Sequence, residues 1–246
     1  MWLETPSNPT WAITDIAAAS AVAHESGALV AIDNTVPTPI LSRPFEHGAD
    51  IVLHSCSKYM NGHGDLIAGA VVVAPCHDAV LSDIKNLRNE YGGVLGSFES
   101  WLLLRGMRTL SIRIKTASAN ALKIANFLEQ ADGVCEVFYP GLKSNAGHII
   151  ASKQMTGGFG GMLSFRVDGG EKSAKFLASQ VKLIRQAISF GSTETVIEHR
   201  AGMEKPDSPT PRDMLRLSVG IENVEDLIGD LEQALAATCE MRMRYK

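Results

Sequence analysis

Residues 49–74 read ADIVLHSCSKYMNGHGDLIAGAVVVA, and the fold turns on them. ADIVLHS is a short apolar run of the kind that forms a strand buried in an α/β core. LIAGAVVVA is a second such run. Between them lies a polar turn carrying Lys58 among Ser55, Cys56, Ser57, Asn61, Gly62, His63 and Gly64. Lysine is almost never fully buried unless it is paired or chemically committed. A lysine at the mouth of such a core therefore asks for a partner.

The flanking sequence supplies the rest of an α/β unit. WLE (2–4) reads as a strand, followed by the Pro-rich turn TPSNP (5–9). ITDIAAASAVAHESG (13–27) reads as a helix capped by Thr14 or Asp15 and stopped by Gly27. ALVAID (28–33) is another continuous apolar strand, ending in Asp33. NTVPTPILSRPFEHG (34–48) reads as a loop with a short helix around 42–47. Strands alternating with helices predict a mostly parallel sheet covered on both faces. From about 77 to 130 the pattern turns helical, in one segment over 77–92 and a longer one over 97–130 interrupted near Gly106. Beyond it, GVCEVFYPGL (133–142) reads as strand and turn, and MLSFRVDG (162–169) alternates as a half-buried strand. EKSAKFLASQV (171–181) is an amphipathic helix, LIRQAISFG (183–191) and MLRLSVGI (214–221) are strands, and a helix over 223–241 is capped by Asn223. The expected organisation is a sheet-bearing unit over 1–110, a linking helix over 111–133 and a smaller α+β unit over 134–246.

Composition narrows the function classes. Of 246 residues, 45% are hydrophobic and 20% charged, as in an ordinary globular protein, and the net charge of −4 offers no basic field for nucleic acid. No apolar run approaches membrane-spanning length, and no basic-then-apolar leader opens the sequence. The four cysteines, Cys56, Cys76, Cys135 and Cys239, have no CxxC spacing and read as free thiols of a cytoplasmic protein. No metal site is expected.

Ligands of open parallel sheets bind beyond the carboxyl ends of the strands. Asn8, Asp33 and the Ser55–Lys58 turn all fall there. A lysine amine, a carboxylate and hydroxyls at strand ends match the needs of pyridoxal phosphate, which bonds a lysine, pairs its pyridine nitrogen with an acid and takes hydrogen bonds on its phosphate. Taken singly, each residue has a plainer reading: a solvated lysine, a capping aspartate, an ion-paired arginine.

The sequence as a whole resembles the Cys/Met-metabolism (trans-sulfuration) family of pyridoxal phosphate enzymes, which includes cystathionine γ-synthase, cystathionine γ-lyase, cystathionine β-lyase and methionine γ-lyase. The resemblance is carried by ETPSNPT, AIDNT, the 49–72 stretch, WLLLRGMRTL, YPGLKSNAGH, QMTGGFGGMLSF and LRLSVGIENVEDLIGDLEQAL, in order. It implies the fold-type-I (aspartate-aminotransferase-like) architecture, with a large-domain fragment followed by a smaller C-terminal α+β domain. It also implies carbon–sulfur chemistry on sulfur amino acids, cystathionine or methionine γ-elimination or γ-replacement, with pyridoxal 5'-phosphate held as a Schiff base on Lys58. By the same resemblance Asp33 pairs with the pyridine nitrogen and Ser55 and Ser57 contact the phosphate. Asn8 lies near the cofactor's 3′ oxygen, Arg216 clamps the substrate α-carboxylate, and Ser189 lines the approach to Lys58. The implied partners are a small sulfur-containing amino acid and further copies of the chain, as a dimer of dimers, with no nucleic acid and no membrane.

Two departures qualify that expectation. Family members carry an N-terminal portion that supplies an arm to the neighbouring subunit, a Gly-containing turn under the phosphate and a stacking tyrosine. Its absence here sets up an alternative: a truncated, catalytically impaired homologue that folds or associates with a full-length subunit. The position before Ser189, commonly a glutamate in cystathionine γ-synthases and γ-lyases, is Ile188, which suits a shorter or less polar substrate side chain. The stretch 191–211, GSTETVIEHRAGMEKPDSPTP, yields no further reading.

Overall fold

The computed structural model describes residues 1–205 and 207–244. Two sheets organise the chain. The first has the order β1 (Trp2–Glu4), β2 (Ala31–Asp33), β3 (Ile51–Ser55), β4 (Gly69–Val73). β1–β2 and β2–β3 are parallel and β3–β4 antiparallel, so the sheet is mostly parallel as expected. Helix α1 (Ile16–Glu25) starts at Asp15, whose side chain accepts the Ala18 N–H at 3.0 Å, and gives way to Gly27 at φ 74°. It packs Ile16 and Ala23 on Val30, Ile32 and Val52.

The expectation of helices on both faces is not met. Trp2, Val71 and Val72 stay exposed, and α3 (Asp78–Tyr91) buries none of its residues. The loop after β2 also differs. Its helical turns are α2 (Thr38–Leu41) and a 3-10 turn at Pro44–His47, because Pro37 and Pro44 each sit where a helical turn begins. The long helical stretch breaks into α4 (Ser97–Met107) and α5 (Leu110–Gln130), just beyond Gly106.

The second sheet has the order β5 (Val134–Phe138), β6 (Met162–Val167), β9 (Met214–Ser218), β8 (Val196–His199), β7 (Arg185–Gln186). It is antiparallel except between β7 and β8. The short helix α6 (His148–Gln154) follows β5. Helices α5, α7 (Gly170–Gln180) and α8 (Val224–Arg244) cover one face with Ile124, Leu128, Leu177, Leu227 and Leu231 over Leu163, Phe165, Leu215 and Leu217. Each of these leucines is fully buried, so truncation to alanine costs about 2–5 kcal/mol. Asn223 caps α8 as expected, accepting the Glu225 N–H at 3.0 Å.

Three expectations here are corrected. β6 is buried along nearly its whole length, because its second face lies under Trp11: Met162 belongs to the same buried cluster as that indole and the Ser164 hydroxyl accepts its Nε1–H at 2.9 Å. The 183–191 strand shrinks to Arg185–Gln186, with Ala187 to Gly191 running as coil toward Lys58. β8, unread in the sequence, supplies a central strand. No helix among the described residues is long and apolar enough to cross a membrane.

Behind the first sheet, Asp50 brackets three elements. Its carboxylate accepts from His24 Nε2 at 2.9 Å, His77 Nε2 at 2.8 Å and the Val30 N–H at 2.7 Å. Desolvation opposes ionisation, but these hydrogen bonds outweigh it and hold the carboxyl below its usual value. A lowered folded value means that the contribution is complete above the unfolded value of about 3.9 and vanishes as pH falls through the folded one. Asp50→Asn is therefore expected to cost about 1–2 kcal/mol at neutral pH and to flatten the acid limb of stability, read as urea midpoint against pH. An unchanged acid limb would show that the bracket carries no charge-linked stability.

Candidate active site

Lys58 sits in a tight turn at the end of β3. Its carbonyl accepts the Gly62 N–H at 2.7 Å, and its own N–H donates to Ser55 O at 3.1 Å. The turn is pinned from behind by Arg113 of α5, only 5% exposed. Arg113 donates to Tyr59 O at 2.7 Å, Met60 O at 3.2 Å, Gly106 O at 2.8 Å and Thr109 Oγ1 at 3.0 Å. Gly62 follows from this: φ is 74°, and a Cβ there would lie 1.9 Å from Arg113 Nη1. Gly106 follows as well, since a Cβ there would meet Asn61 O at 2.4 Å. Cys56 is buried in the same turn, its thiol against Met60 Sδ at 3.4 Å and pushed up in pKa by desolvation.

On the open side, Lys58 Nζ donates to Ser189 Oγ at 3.3 Å and lies 4.6 Å from the Phe190 ring centroid. The 189–191 coil reaches the turn because Gly191, at φ 80°, lets its backbone approach within a space where a Cβ would stand 2.8 Å from Tyr59 N. The Gly191 N–H donates to Ser218 Oγ at 2.9 Å, tying that coil to β9.

The second sheet supplies the other wall. Period-two alternation along β9 sends Leu215 and Leu217 into the helix-covered core and Arg216 and Ser218 to the opposite face. Ser164, Arg216 and Glu198 stand in register across β6, β9 and β8. Arg216, 3% exposed, donates to Asn8 Oδ1 at 3.1 Å and Ile188 O at 2.8 Å, and its Nη2 is 2.7 Å from Glu198 Oε1. Its guanidinium carbon lies 5.4 Å from the Phe190 centroid. Desolvation lowers the pKa of the Lys58 amine, and the Arg216 charge lowers it further against an opposing effect of Glu198. Burial raises the Glu198 carboxyl against the pull of Arg216 and Arg200.

Four expected site residues thus fall in two contacting pairs, Lys58 with Ser189 and Arg216 with Asn8, and the Phe190 ring lies against both cations. Asp33, Ser55 and Ser57 take other partners. Asp33 Oδ1 accepts the Thr35 N–H at 2.9 Å, and Thr35 Oγ1 accepts the Ser55 N–H at 2.7 Å, so the ends of β2 and β3 are laced together. Ser57 Oγ accepts the Ala68 N–H at 3.0 Å and donates to Ala68 O at 3.3 Å. Glu198, Arg200, Phe190 and Thr35 were missed from sequence. The β-branched pair before Glu198 signals a strand, but its pairing with Arg216 needs the register of two strands.

A half-buried amine, a buried guanidinium and strand-end hydroxyls thus come from the two sheets to the neighbourhood of one aromatic ring, Phe190. The pattern of the Cys/Met metabolism PLP-dependent enzyme family matches residues 1–236, and the chain belongs to that family. It is 43% identical to the L-methionine gamma-lyase of Fusobacterium nucleatum subsp. polymorphum, over 96% of this chain and 61% of that protein. It is 44% identical to the cystathionine beta-lyase of Lactococcus lactis subsp. cremoris, over 96% of this chain and 63% of that protein. Among solved structures, metB from Corynebacterium glutamicum superposes with a TM-score of 0.92 at 41% identity, over 96% of this chain and 62% of that one. The chain spans about three-fifths of the length of these relatives.

Arg113→Ala would leave the carbonyls of Tyr59, Met60 and Gly106 without this donor. Gly106 O keeps the Thr109 N–H at 3.2 Å, so two carbonyls lose their partner, and at about 1–3 kcal/mol for each buried group left unpaired the expected loss is at least about 2 kcal/mol, read as a lower urea midpoint. A midpoint within error of the parent would show that the Lys58 turn stands without the clamp.

Proposed function

We propose that the protein carries out carbon–sulfur bond chemistry on a small sulfur-containing amino acid, with pyridoxal phosphate bound at Lys58. The observation that carries this reading is the Lys58 amine, of lowered pKa, held by Ser189 within one cluster with Arg216. The donor set fits the cofactor: a half-buried amine for its aldehyde carbon, Asp33 at a strand end for its ring nitrogen, and the Ser55 hydroxyl at the mouth of the turn for its phosphate. The Ser57 hydroxyl, engaged with Ala68, fits the phosphate less directly. When bound, pyridoxal phosphate supplies an electron sink for charge developing at the substrate α-carbon.

The chain's own residues do the rest. Arg216 receives the α-carboxylate, a planar fork matched to two oxygens. Asn8, now on Arg216 Nη1, is placed to yield that donor to the carboxylate. Lys58, with its pKa lowered by burial and the Arg216 charge, moves a proton between the α-carbon and the leaving side. Ile188 gives Arg216 its carbonyl and presents an apolar side chain, 59% exposed, beside it. That favours a substrate with an uncharged distal end, such as methionine, over one ending in an ammonium group. We assign residues 1–110 to the cofactor-binding part, 111–133 to the linking helix and 134–246 to the small domain.

Association into a homo-oligomer forms part of the same proposal. Phe98, Trp101, Leu104 and Met107 recur every three residues along α4 and are all exposed, an apolar ridge suited to a second copy. Trp101→Glu is expected to lower the sedimentation coefficient at fixed concentration, and an unchanged value would remove α4 from the interface.

The test of the chemistry is borohydride reduction after incubation with pyridoxal phosphate, followed by peptide mapping. The label is expected on Lys58. Label spread evenly over surface lysines would refute the site.

A further inference from the structure

The geometry points to Glu198 as a positioning residue that fixes the plane of the Arg216 guanidinium for carboxylate binding. This inference rests on the reading of Arg216 as the substrate-carboxylate clamp. Its first support is register: Glu198 and Arg216 are directly paired across β8 and β9, so their side chains are held to one face by the strand ladder itself. Its second is burial, with Arg216 3% and Glu198 6% exposed and their charges 2.7 Å apart. Removing one partner of such a pair strands the other charge away from water.

Glu198 is itself held on its far side. Arg200 Nη1 donates to the same Oε1 at 3.2 Å, and Arg200 Nε donates to Glu204 Oε1 at 2.6 Å. Glu204 Oε2 in turn accepts from Thr210 Oγ1 at 2.6 Å and from Ser208 Oγ. Charges alternate along this row, Arg216, Glu198, Arg200, Glu204, from the site to the 204–210 segment. The guanidinium has two other fixed contacts, Asn8 Oδ1 and Ile188 O. Glu198 is the one that supplies a full opposite charge. A carboxylate substrate brings a second negative charge to the same guanidinium. Glu198 must therefore be set to one side, leaving room on the fork, and the strand pairing together with Arg200 sets it there. Among the described residues Glu198 Oε2 has no hydrogen-bond partner, which fits this arrangement, since Oε1 takes both arginines.

The charged groups acting on Lys58 are Arg216, which disfavours its ammonium form, and Glu198, which favours it. This provides a readout that needs no bound cofactor.

The experiment compares the protein with Glu198→Gln and Glu198→Asp, each first checked by thermal melting. With pyridoxal phosphate bound, titration with L-alanine and with L-alaninamide is followed by cofactor absorbance. Glu198→Gln is expected to weaken L-alanine about tenfold, the loss of roughly one charge-assisted contact, and to leave L-alaninamide within about twofold, well under one such contact. Glu198→Asp should recover part of the loss. Without cofactor, the pH midpoint for modification of Lys58 by trinitrobenzenesulfonate, read by peptide mapping, should fall in Glu198→Gln by about half a unit, less than for a directly paired charge. Equal L-alanine affinities and equal midpoints in the two proteins would overturn the role of Glu198. If borohydride labels Lys58 in both proteins while these readouts stay flat, the fault lies with Glu198 and the proposed chemistry stands. If borohydride does not label Lys58 in the parent, the proposed chemistry fails, and the cofactor-free midpoint alone decides whether Glu198 sets the charge at Arg216. Should Glu198→Gln melt before it can be measured, Glu198→Asp carries the comparison, and parental affinity for L-alanine in that variant overturns the positioning role.

Discussion

A buried guanidinium with carbonyl oxygens around it holds the Lys58 turn in place. Arg113 spends four of its five donors on Tyr59 O, Met60 O, Gly106 O and Thr109 Oγ1. Burying a charge is costly unless it is fully hydrogen-bonded, and here neutral carbonyl dipoles do that work. Because Arg113 starts from α5 and Gly106 belongs to α4, one side chain fixes the turn to both helices. Gly62 and Gly106 are then the residues that such a packing permits, and the amine of Lys58 is left on the opposite, open side.

The site is assembled from two sheets that contribute different things. The first supplies the amine on a turn stiffened from behind. The second supplies the guanidinium from the middle of a strand, where the ladder fixes its direction. Between them runs the 5–12 segment, whose Asn8 reaches Arg216 while Trp11 and the Pro9 carbonyl share the Ser164 hydroxyl. The cation pair Lys58 and Arg216 shares the face of Phe190. Burial depresses the lysine most, the Arg216 charge adds to it, and Glu198 limits how far.

Much of this was legible in the sequence where chemistry and local pattern coincide. Lys58, Asp33 and Asn8 announce themselves because each follows an apolar run at a strand end. The Asp15 and Asn223 caps are equally local. What escaped depends on pairing between distant segments. Glu198 acquires meaning only when β8 lies against β9. The full burial of β6 needed Trp11, 153 residues from Ser164, to close its second face. The 183–191 segment looks like a strand by composition, yet its second half is drawn off the sheet to meet the Lys58 turn at Gly191. The helix break came where expected near Gly106, and the reason, its close approach to Asn61 O, needed the fold.

The alternation along β9 has a consequence for how the protein reports on its own assembly. Leu215 and Leu217 belong to the core, and Arg216 and Ser218 to the site, within one five-residue strand. A slip of β9 by one residue would drive a guanidinium into the leucine layer and set leucines against Asn8 and Glu198. A half-correct fold would thus lose the Arg216 contacts to Asn8 and Glu198. Carboxylate binding at Arg216, as proposed above, would then serve as a certificate that the central strands of the second sheet were zipped in the right register.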